Sequence, residues 1–365
     1  MRILFTSVPA FGHLLPMLPL ARAAVRAGHE VALLTHPSLR DAAPDLTLLP
    51  AGPSMPETLA DVTGRTSLDA LQDMARGAVE FFVESRLNLG ATEALAAAAT
   101  FAPDLVVADM VDFVGQLVAA ARGVPFAVHG STLPLAEPLH RAFEQEINTR
   151  FTGYGVTRTP PVAFVDPWPD SLLRPTDSFP VRRIAIRPEP HTAGGPAWTP
   201  PRFPGPGARP TVLVTLGTVV EDADALAAVV AALRRLDVNI LVAPFHGDEA
   251  STGDRVCTAG FVPMKQLLTT ADVVVSAAGA GTVLSVLSAG LPMVLFPMGL
   301  DKPVNAERAA AAGAALVVTE PADIATAVEK VLADPSYRTA SAAVAAEIAG
   351  RAAPGDVLEQ LLALR

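Results

Sequence analysis

The sequence predicts an α/β protein made of two doubly wound, parallel-sheet domains that face a cleft. Short apolar runs alternate with helix-like segments in both halves of the 365-residue chain. These runs are apolar throughout, as expected of strands buried on both faces of a parallel sheet. Residues 189–210 are dense in proline and glycine and interrupt the alternation, so we interpret them as an interdomain linker.

The first half supplies the strands and helices of an N-terminal domain, residues 1–188. Strands are predicted at residues 2–7, 30–36, 104–109 and 125–130. A helix at residues 16–28 ends at Gly28, since glycine commonly follows the last turn of a helix. Because helices separate the strands, the strands are expected to be parallel, with helices on both faces of the sheet.

The second half repeats this pattern in a C-terminal domain, residues 211–348. Strands are predicted at residues 211–218, 239–244, 271–276, 292–297 and 315–318. Helical segments separate them, so a second parallel sheet is expected. A further helix is predicted at residues 349–365, after the second sheet is complete, and it is a candidate for returning to the N-terminal domain.

An uncharged stretch at residues 273–300 is long enough to span a bilayer. Glycines and prolines divide it into shorter pieces, at Gly279, Gly281, Gly290, Pro292 and Pro297. We therefore predict strand, loop, helix and strand there, and no membrane span.

The net charge and the cysteine count limit the classes of binding partner and the cellular compartment that we expect. The net charge of −10 opposes binding to nucleic acid or to an anionic membrane, so a small-molecule partner is expected. The single cysteine, Cys257, excludes an intramolecular disulfide. The start of the chain, MRILFTSVPAFGHLLP, lacks the regions of a secretion signal, so a cytoplasmic location is expected.

The segment VSAAGAGT, residues 275–282, has the composition of an anion-binding loop. Gly279 and Gly281 allow the backbone to approach a ligand closely, and a helix predicted to begin at Thr282 would present free N–H groups and a positive dipole end. An anion such as a diphosphate fits this pattern, but Ala277 and Ala278 offer no side-chain donor, so the loop alone does not settle the ligand. The dinucleotide-binding fingerprint is excluded, because Leu284 stands where its third glycine belongs.

Residues that follow parallel strands are the candidates for chemistry, because ligands bind beyond the carboxyl ends of such strands. His13 follows the first strand, and Asp109 ends the strand DLVVAD. Imidazole titrates near neutral pH and can take a proton, while a neighbouring carboxylate would fix its tautomer. The alternatives are a solvated loop histidine and a helix-capping aspartate. For Asp112, in the same loop as Asp109, we predict the helix cap.

Other polar candidates follow strands of the C-terminal domain. Thr218 suits a phosphate or sugar oxygen, or else belongs to an ordinary turn. Asp301 and Lys302 precede a proline, which fits the first turn of a helix. Two interpretations are equally open: Asp301 is a helix cap and Lys302 a solvated charge, or both face the anion site when the cleft closes. Asp222 and Asp224 have a metal-chelating spacing, but we predict that they lie at a helix N-terminus and bind no metal.

Together these stretches resemble the bacterial antibiotic-type glycosyltransferases of the GT-B fold, which include macrolide and polyketide glycosyltransferases. The resemblance covers nearly the whole chain. The matching stretches are FGHLLPMLPLARAAVRAGHEV, PDLVVADMVDFVGQLVAAARGVP, VDPWPDSLL, VTLGT, GFVPMKQLL and GAGTVLSVLSAGLPMVLFPMGLDKPVNAERAAAAGAAL. The resemblance implies that the first domain binds the acceptor, that the second binds a dTDP- or UDP-sugar as co-substrate, and that transfer inverts the anomeric centre without a metal or a cofactor.

The resemblance also implies a role for each candidate residue. His13 would be the general base and Asp109 its partner. The nucleotide sugar would contact the following residues: Phe261 and Val262 at the nucleobase, Gly279, Gly281 and Thr282 at the diphosphate with Thr218 nearby, and Asp301 at the sugar.

Two positions depart from the family pattern, which has histidine at 277 and glutamine at 302, whereas this chain has Ala277 and Lys302. Loss of a hydrogen bond to a charged group costs about 1.5–3 kcal/mol, or roughly ten- to a hundredfold in affinity. Lys302 would supply the missing positive charge.

We predict an inverting glycosyltransferase that acts on a hydrophobic natural product. The alternatives are a catalytically silent homologue that serves as an auxiliary or ligand-binding protein, and an enzyme with altered chemistry in the same cleft. The sequence leaves open the acceptor, the sugar, the nucleotide and the oligomeric state, a homodimer included.

Overall fold

The computed structural model describes residues 1–67, 74–190, 198–203, 209–216, 222–244, 255–260 and 262–365. The chain divides into two compact units. The first unit comprises Met1–Pro167, Arg174–Arg187 and Ala352–Arg365, and the second comprises Trp168–Leu173 and Pro188–Arg351.

A seven-stranded parallel sheet forms the centre of the first unit, with the strand order β3-β2-β1-β4-β5-β6-β7. Its strands are β1 Arg2–Thr6, β2 Glu30–Thr35, β3 Thr47–Pro50, β4 Leu105–Asp109, β5 Phe126–His129, β6 Phe164–Asp166 and β7 Arg183–Ala185. The four strands predicted in this half are confirmed. The sequence did not reveal β3, β6 and β7, which have only three or four residues each.

Helices cover both faces of this sheet. They are α1 Phe11–Leu14, α2 Leu18–Arg26, α3 Met55–Thr66, α4 Met74–Val79, α5 Arg86–Phe101, α6 Phe113–Arg122 and α7 Glu137–Gly153. A π-helical turn at Glu80–Ser85 joins α4 to α5. Alternate residues of β1 enter two separate cores, with Leu4 in one and Ile3 and Phe5 in the other. This alternation is the reason that β1 is apolar along its length.

The second unit has a six-stranded parallel sheet in the order β10-β9-β8-β11-β12-β13. Its strands are β8 Thr211–Thr215, β9 Asn239–Val242, β10 Val256–Thr258, β11 Val273–Ser276, β12 Met293–Leu295 and β13 Ala315–Val317. Its helices are α8 Ala223–Leu233, α9 Met264–Leu268, α10 Ala280–Ser288, α11 Lys302–Ala311, α12 Ile324–Ala333 and α13 Pro335–Ala349. The strand order reverses direction at β8, which is the doubly wound arrangement that the sequence predicted.

The last helix, α14 Pro354–Leu362, belongs to the first unit. It packs against α2 and contributes Val357, Leu358 and Leu361 to the core that contains Ile3. The backbone N–H of Arg187 also donates a hydrogen bond to the carbonyl oxygen of Ala352 at 2.9 Å. The first unit is therefore assembled from separate parts of the chain.

The uncharged stretch at residues 273–300 contains β11, α10 and β12, as predicted from its glycines and prolines. Across the ranges that the structure describes, every helix falls short of the combined length and apolar character needed to cross a bilayer.

Candidate active site

His13 and Asp109 lie together at one edge of the first unit's sheet. Strands β1 and β4 are neighbours, so their carboxyl ends bring the loop that carries α1 next to Asp109, the last residue of β4. The distance between His13 Nδ1 and Asp109 Oδ2 is 3.0 Å. Asp109 is fully buried, whereas the His13 side chain is 23% exposed. A buried carboxylate thus holds a histidine that ligands can reach.

This contact determines which nitrogen of His13 is basic. A carboxylate accepts hydrogen bonds, so the proton of the neutral imidazole lies on Nδ1, and the lone pair is on Nε2. If Nε2 then takes a proton, the Asp109 carboxylate stabilises the resulting imidazolium. The pair has the chemistry of a general base with an orienting partner.

Ser131 is a further neighbour of His13 that sequence reasoning missed. Its Oγ lies 3.2 Å from His13 Nδ1, and the residue is 6% exposed. With the proton on Nδ1, the hydroxyl oxygen accepts a second, weaker branch of the hydrogen bond to Asp109. The available signal was its position, because Ser131 follows the predicted strand at residues 125–130, next to the strand that ends at Asp109.

His129 is a second histidine at this sheet edge, but it is not suited to be the base. It is fully buried at the end of β5, and its Nδ1 is 2.9 Å from the carbonyl oxygen of Gly130, to which it donates. Burial lowers the pKa of His129 to about 4, because the imidazolium is poorly solvated there. His129 is therefore neutral at physiological pH, and His13 is the more accessible imidazole.

The structure corrects the prediction for Asp112. Asp112 occupies the N-cap position of α6, but its side chain makes no capping hydrogen bond. Its Oδ1 instead accepts from Arg86 Nη2 at 2.9 Å, and both side chains are at most 1% exposed. A buried guanidinium requires an anionic partner more strongly than a helix end requires a cap. Arg86 Nη2 also lies 3.5 Å from the carbonyl oxygen of Ser7, in the loop that leads to His13.

Phenylalanine side chains form a wall beside His13. The ring of Phe82 lies 5.9 Å from the His13 ring, and Phe143 packs edge-on against Phe82 at 6.3 Å. Phe113 contacts Phe143 in turn at 5.2 Å. Phe82 belongs to the π-helical turn that precedes α5, and such turns are frequent at functional sites. The neighbourhood of His13 is thus apolar and aromatic.

In the second unit, the predicted anion loop leads into α10. The helix begins at Ala280, two residues before the predicted start, with Gly279 as its N-cap and Gly281 and Thr282 in its first turn. A Cβ atom added at Gly279 or Gly281 would meet no atom of the described residues within 4 Å, so the backbone is open to a ligand there. In the part of the chain that the structure describes, no side chain caps this helix end, and its first N–H groups point out of the helix. This end can receive an anion.

The residue before Gly279 has an unusual backbone conformation. Ala278 has a φ angle of +67°, in the left-handed region that favours glycine. Its N–H donates to Ser276 Oγ at 3.1 Å, and its carbonyl oxygen accepts from Asn305 Nδ2 at 3.0 Å. The same Nδ2 donates to Asp301 Oδ2 at 2.8 Å. Side chains therefore fix the loop on both sides of this peptide.

Asp301 is connected to this loop through Asn305, and Lys302 follows Asp301 as the first residue of α11. Asp301 has the N-cap position without a capping bond, so its carboxylate is held by Asn305 rather than by the helix end. Lys302 is 7% exposed, which rules out the solvated-charge alternative. Within the described ranges its Nζ has no hydrogen-bond partner. Burial lowers the pKa of Lys302, and the nearby Asp301 carboxylate opposes part of that shift.

The remaining candidates are less informative. Thr218 and Phe261 lie outside the described residues. Val262 is half-buried in the segment between β10 and α9. Asp222 caps α8 by accepting from the N–H of Ala225 at 2.8 Å, as the helix-terminus interpretation predicted. The described ranges contain no group of His, Cys, Asp or Glu side chains arranged to hold a metal ion.

Comparison with known proteins gives consistent matches. The family described as "Erythromycin biosynthesis protein CIII-like, C-terminal domain" matches residues 227–364. L-demethylnoviosyl transferase of Streptomyces niveus is 32% identical over 391 residues, covering 100% of this chain and 98% of the relative. The elloramycin glycosyltransferase of Streptomyces olivaceus is 29% identical over 383 residues, covering 99% of this chain and 97% of the relative.

A solved structure of a glycosyltransferase is also similar to this chain. The glycosyltransferase SsfS6 of Streptomyces sp. SF2575, complexed with thymidine diphosphate, matches with a TM-score of 0.83 and 26% sequence identity. The match covers 100% of this chain and 99% of that structure.

Proposed function

This chain belongs to the family of bacterial antibiotic glycosyltransferases with the GT-B fold, and from that premise we propose that it transfers a sugar, with inversion, from a nucleoside-diphosphate sugar to a hydroxyl group of a hydrophobic natural product. The observation that carries the proposal is the 3.0 Å contact between His13 Nδ1 and Asp109 Oδ2. We also propose a cytoplasmic location, because a single cysteine suits a reducing compartment.

On the acceptor side, His13 acts as the general base. Its Nε2 takes the proton of the acceptor hydroxyl as the oxygen attacks the anomeric carbon and the nucleoside diphosphate leaves. Asp109 and Ser131 keep the proton of the neutral imidazole on Nδ1. The aromatic ring of Phe82 beside His13 supports an apolar acceptor, because it offers the acceptor a surface that water solvates poorly. Relatives are named for demethylnoviosyl transfer and for elloramycin glycosylation.

On the donor side, the start of α10 receives the diphosphate. Gly279 and Gly281 leave the backbone open, and the first-turn N–H groups, together with the Thr282 hydroxyl, supply donors. Asp301 accepts hydrogen bonds from the sugar hydroxyls. The thymidine diphosphate bound to a relative of 26% identity supports a thymidine or uridine diphosphate as the leaving group.

Lys302 supplies a positive charge beside the start of α10. Ala277 offers no side-chain donor and is 2% exposed. The buried ammonium of Lys302 stands at the start of α11, whose residue Asn305 is hydrogen-bonded to the loop that precedes α10. An unpaired buried ammonium is costly, and an anionic ligand would relieve that cost. We therefore propose that Lys302 pairs with the diphosphate.

Transfer is proposed to need no divalent metal and no cofactor. The helix N-terminus and Lys302 carry the charge of the leaving diphosphate, and Asp222 is engaged as a helix cap. Rates measured with a chelator and then with added magnesium or manganese test this point. Activity that disappears with the chelator and returns with either metal would contradict the proposed mechanism.

A second candidate function is a catalytically silent, ligand-binding homologue, and the observation that favours it is Ala277. Calorimetric titration with thymidine and uridine diphosphates separates the two, combined with transfer assays on hydroxylated hydrophobic acceptors. The enzyme should bind at least one diphosphate in the micromolar to low millimolar range that is common for substrates. A protein that binds neither at millimolar concentration, in the wild type or with histidine restored by Ala277→His, would favour the silent homologue.

A further inference from the structure

One buried side chain, Asn305, connects two parts of the donor site. Its Nδ2 donates to the carbonyl oxygen of Ala278 at 3.0 Å and to Asp301 Oδ2 at 2.8 Å. Asn305 is fully buried in α11. An amide nitrogen carries two hydrogens, so both are used, one on each side of the site.

The contact with Ala278 bears on the anion loop. A φ of +67° is unfavourable for a residue with a Cβ, so this conformation requires support from its surroundings. The support comes from Ser276, which accepts from the N–H of Ala278, and from Asn305, which binds its carbonyl oxygen. Ala278 directly precedes Gly279, the N-cap of α10. Its conformation therefore sets where the first N–H groups of α10 point.

The contact with Asp301 bears on the sugar side. Asp301 lies one helical turn before Asn305, and the N–H of Asn305 donates to the Asp301 carbonyl oxygen at 3.1 Å. The side-chain bond then selects one orientation of the carboxylate and engages Oδ2. A carboxylate held in this way has a defined orientation. Specific recognition of a sugar hydroxyl requires such a fixed direction.

We propose that Asn305 is a positioning residue that couples the diphosphate loop to Asp301, so that the two parts of the donor site are formed together. This inference rests on the proposed function, since it concerns the same nucleotide-sugar site. Asn305 itself touches no reacting atom. It acts through the backbone of Ala278 on the diphosphate and through the carboxylate of Asp301 on the sugar.

A rescue experiment tests this role. Asn305→Ala removes both hydrogen-bond donors. We expect about a tenfold loss of affinity for the nucleoside diphosphate, because that ligand depends only on the supported loop. We expect about a hundredfold loss for the nucleoside-diphosphate sugar, because it depends on the loop and on Asp301. Adding Ala278→Gly makes the loop conformation accessible without Asn305, because glycine adopts positive φ freely. The double variant should regain diphosphate affinity to within about threefold of the wild type. The additional loss of affinity for the nucleoside-diphosphate sugar should persist in the double variant.

The probes are thymidine diphosphate and thymidine diphosphate glucose, or their uridine counterparts if the wild type prefers them, titrated by calorimetry. Asn239→Ala is the matched control, since Asn239 is a buried asparagine of the same unit whose Nδ2 donates to the Arg209 carbonyl oxygen. Ala102→Gly controls for glycine at another positive φ, +50°. Both controls should leave the two affinities unchanged. If Asn305→Ala does not fold, Asn305→Ser replaces it, with the same rescue expected.

Several outcomes would overturn the coupling. The first is that Asn305→Ala leaves both affinities unchanged, and the second is that it weakens binding of both ligands equally. The third is that the double variant regains its affinity for both ligands or for neither. A wild type that binds neither probe would instead overturn the proposed function, so the two failures are distinguishable.

Discussion

Lys302→Met gives the sharpest prediction about the donor site. Lys302 is 7% exposed, and its Nζ has no hydrogen-bond partner among the residues described, so the free protein bears the cost of a desolvated charge. Methionine keeps most of the length of the side chain and removes the charge. We expect the variant to be at least as stable as the wild type at neutral pH, while its affinity for the diphosphate falls.

The size of the fall follows from the charge. A hydrogen bond between an ammonium and a phosphate oxygen contributes about 1.5–3 kcal/mol, so thymidine diphosphate should bind roughly ten- to a hundredfold more weakly. Thymidine itself should bind as before, because it has no anionic group. The loss should shrink as salt is added, since screening already weakens the wild-type interaction.

The free energy of unfolding and the diphosphate affinity should each change with pH in a defined direction. Burial lowers the pKa of Lys302, so the unfolded chain holds the proton more tightly than the folded protein does. Between the folded and the unfolded pKa, the free energy of unfolding therefore rises with pH. Diphosphate affinity should fall as the pH rises through the folded pKa, at a pH below that of an ordinary lysine. This alkaline loss should be absent in Lys302→Met.

Calorimetric titration over pH and salt, together with thermal unfolding, measures these quantities. Lys330→Met is the matched control, because Lys330 is an exposed lysine in α12 of the same unit. It should change neither affinity nor its pH dependence. Equal losses for thymidine and thymidine diphosphate in Lys302→Met, or no loss for either, would refute the assignment of Lys302 to the diphosphate.

Other predictions concern the base and the altered loop. His13→Ala should lower kcat by about two to four orders of magnitude with little change in Tm, and wild-type turnover in this variant would mean that another group is the base. Asp109→Asn should cost less than His13→Ala in the same rate assay, because the imidazole remains. Ser131→Ala should lower kcat by several-fold, at most about tenfold. Its effect should not add to that of Asp109→Asn in a double-mutant cycle. The control Ser341→Ala, which changes another buried serine, should have no effect on kcat. Ala277→His should raise thymidine diphosphate affinity about tenfold by adding a donor in the loop that precedes α10, and an unchanged Kd would argue against a diphosphate there.

The sequence revealed the parts of the fold that have strong local signals. The run of valines in β11 and the glycines after it predicted both a buried strand and the helix that follows. By contrast, β6 and β10 have three residues each, too few for a periodic pattern, and depend on pairing with β5 and β9. Their strand conformation comes from tertiary hydrogen bonds.

The candidate site likewise contains some residues that local sequence signals reveal and others that depend on tertiary contacts. His13 and Asp109 were predictable because His13 follows β1, Asp109 ends β4, and these two strands are neighbours in a parallel sheet. The interactions of Arg86 and Asn305 were not, since each residue lies in a helix and joins segments distant in sequence. Asp112 was mistaken for a cap because sequence position identifies the N-cap but not the buried cation beside it. Burial of Lys302 likewise depends on how α11 packs.

The return of α14 to the first unit affects how the chain folds during synthesis. Ribosomes release Ala352–Arg365 after the whole second unit, yet Val357, Leu358 and Leu361 belong to the first unit's core. The second unit has all of its segments available earlier, including Trp168–Leu173. The half that is translated first is therefore completed last, and the surface of α2 that α14 packs against stays uncovered on the nascent chain until α14 is synthesised.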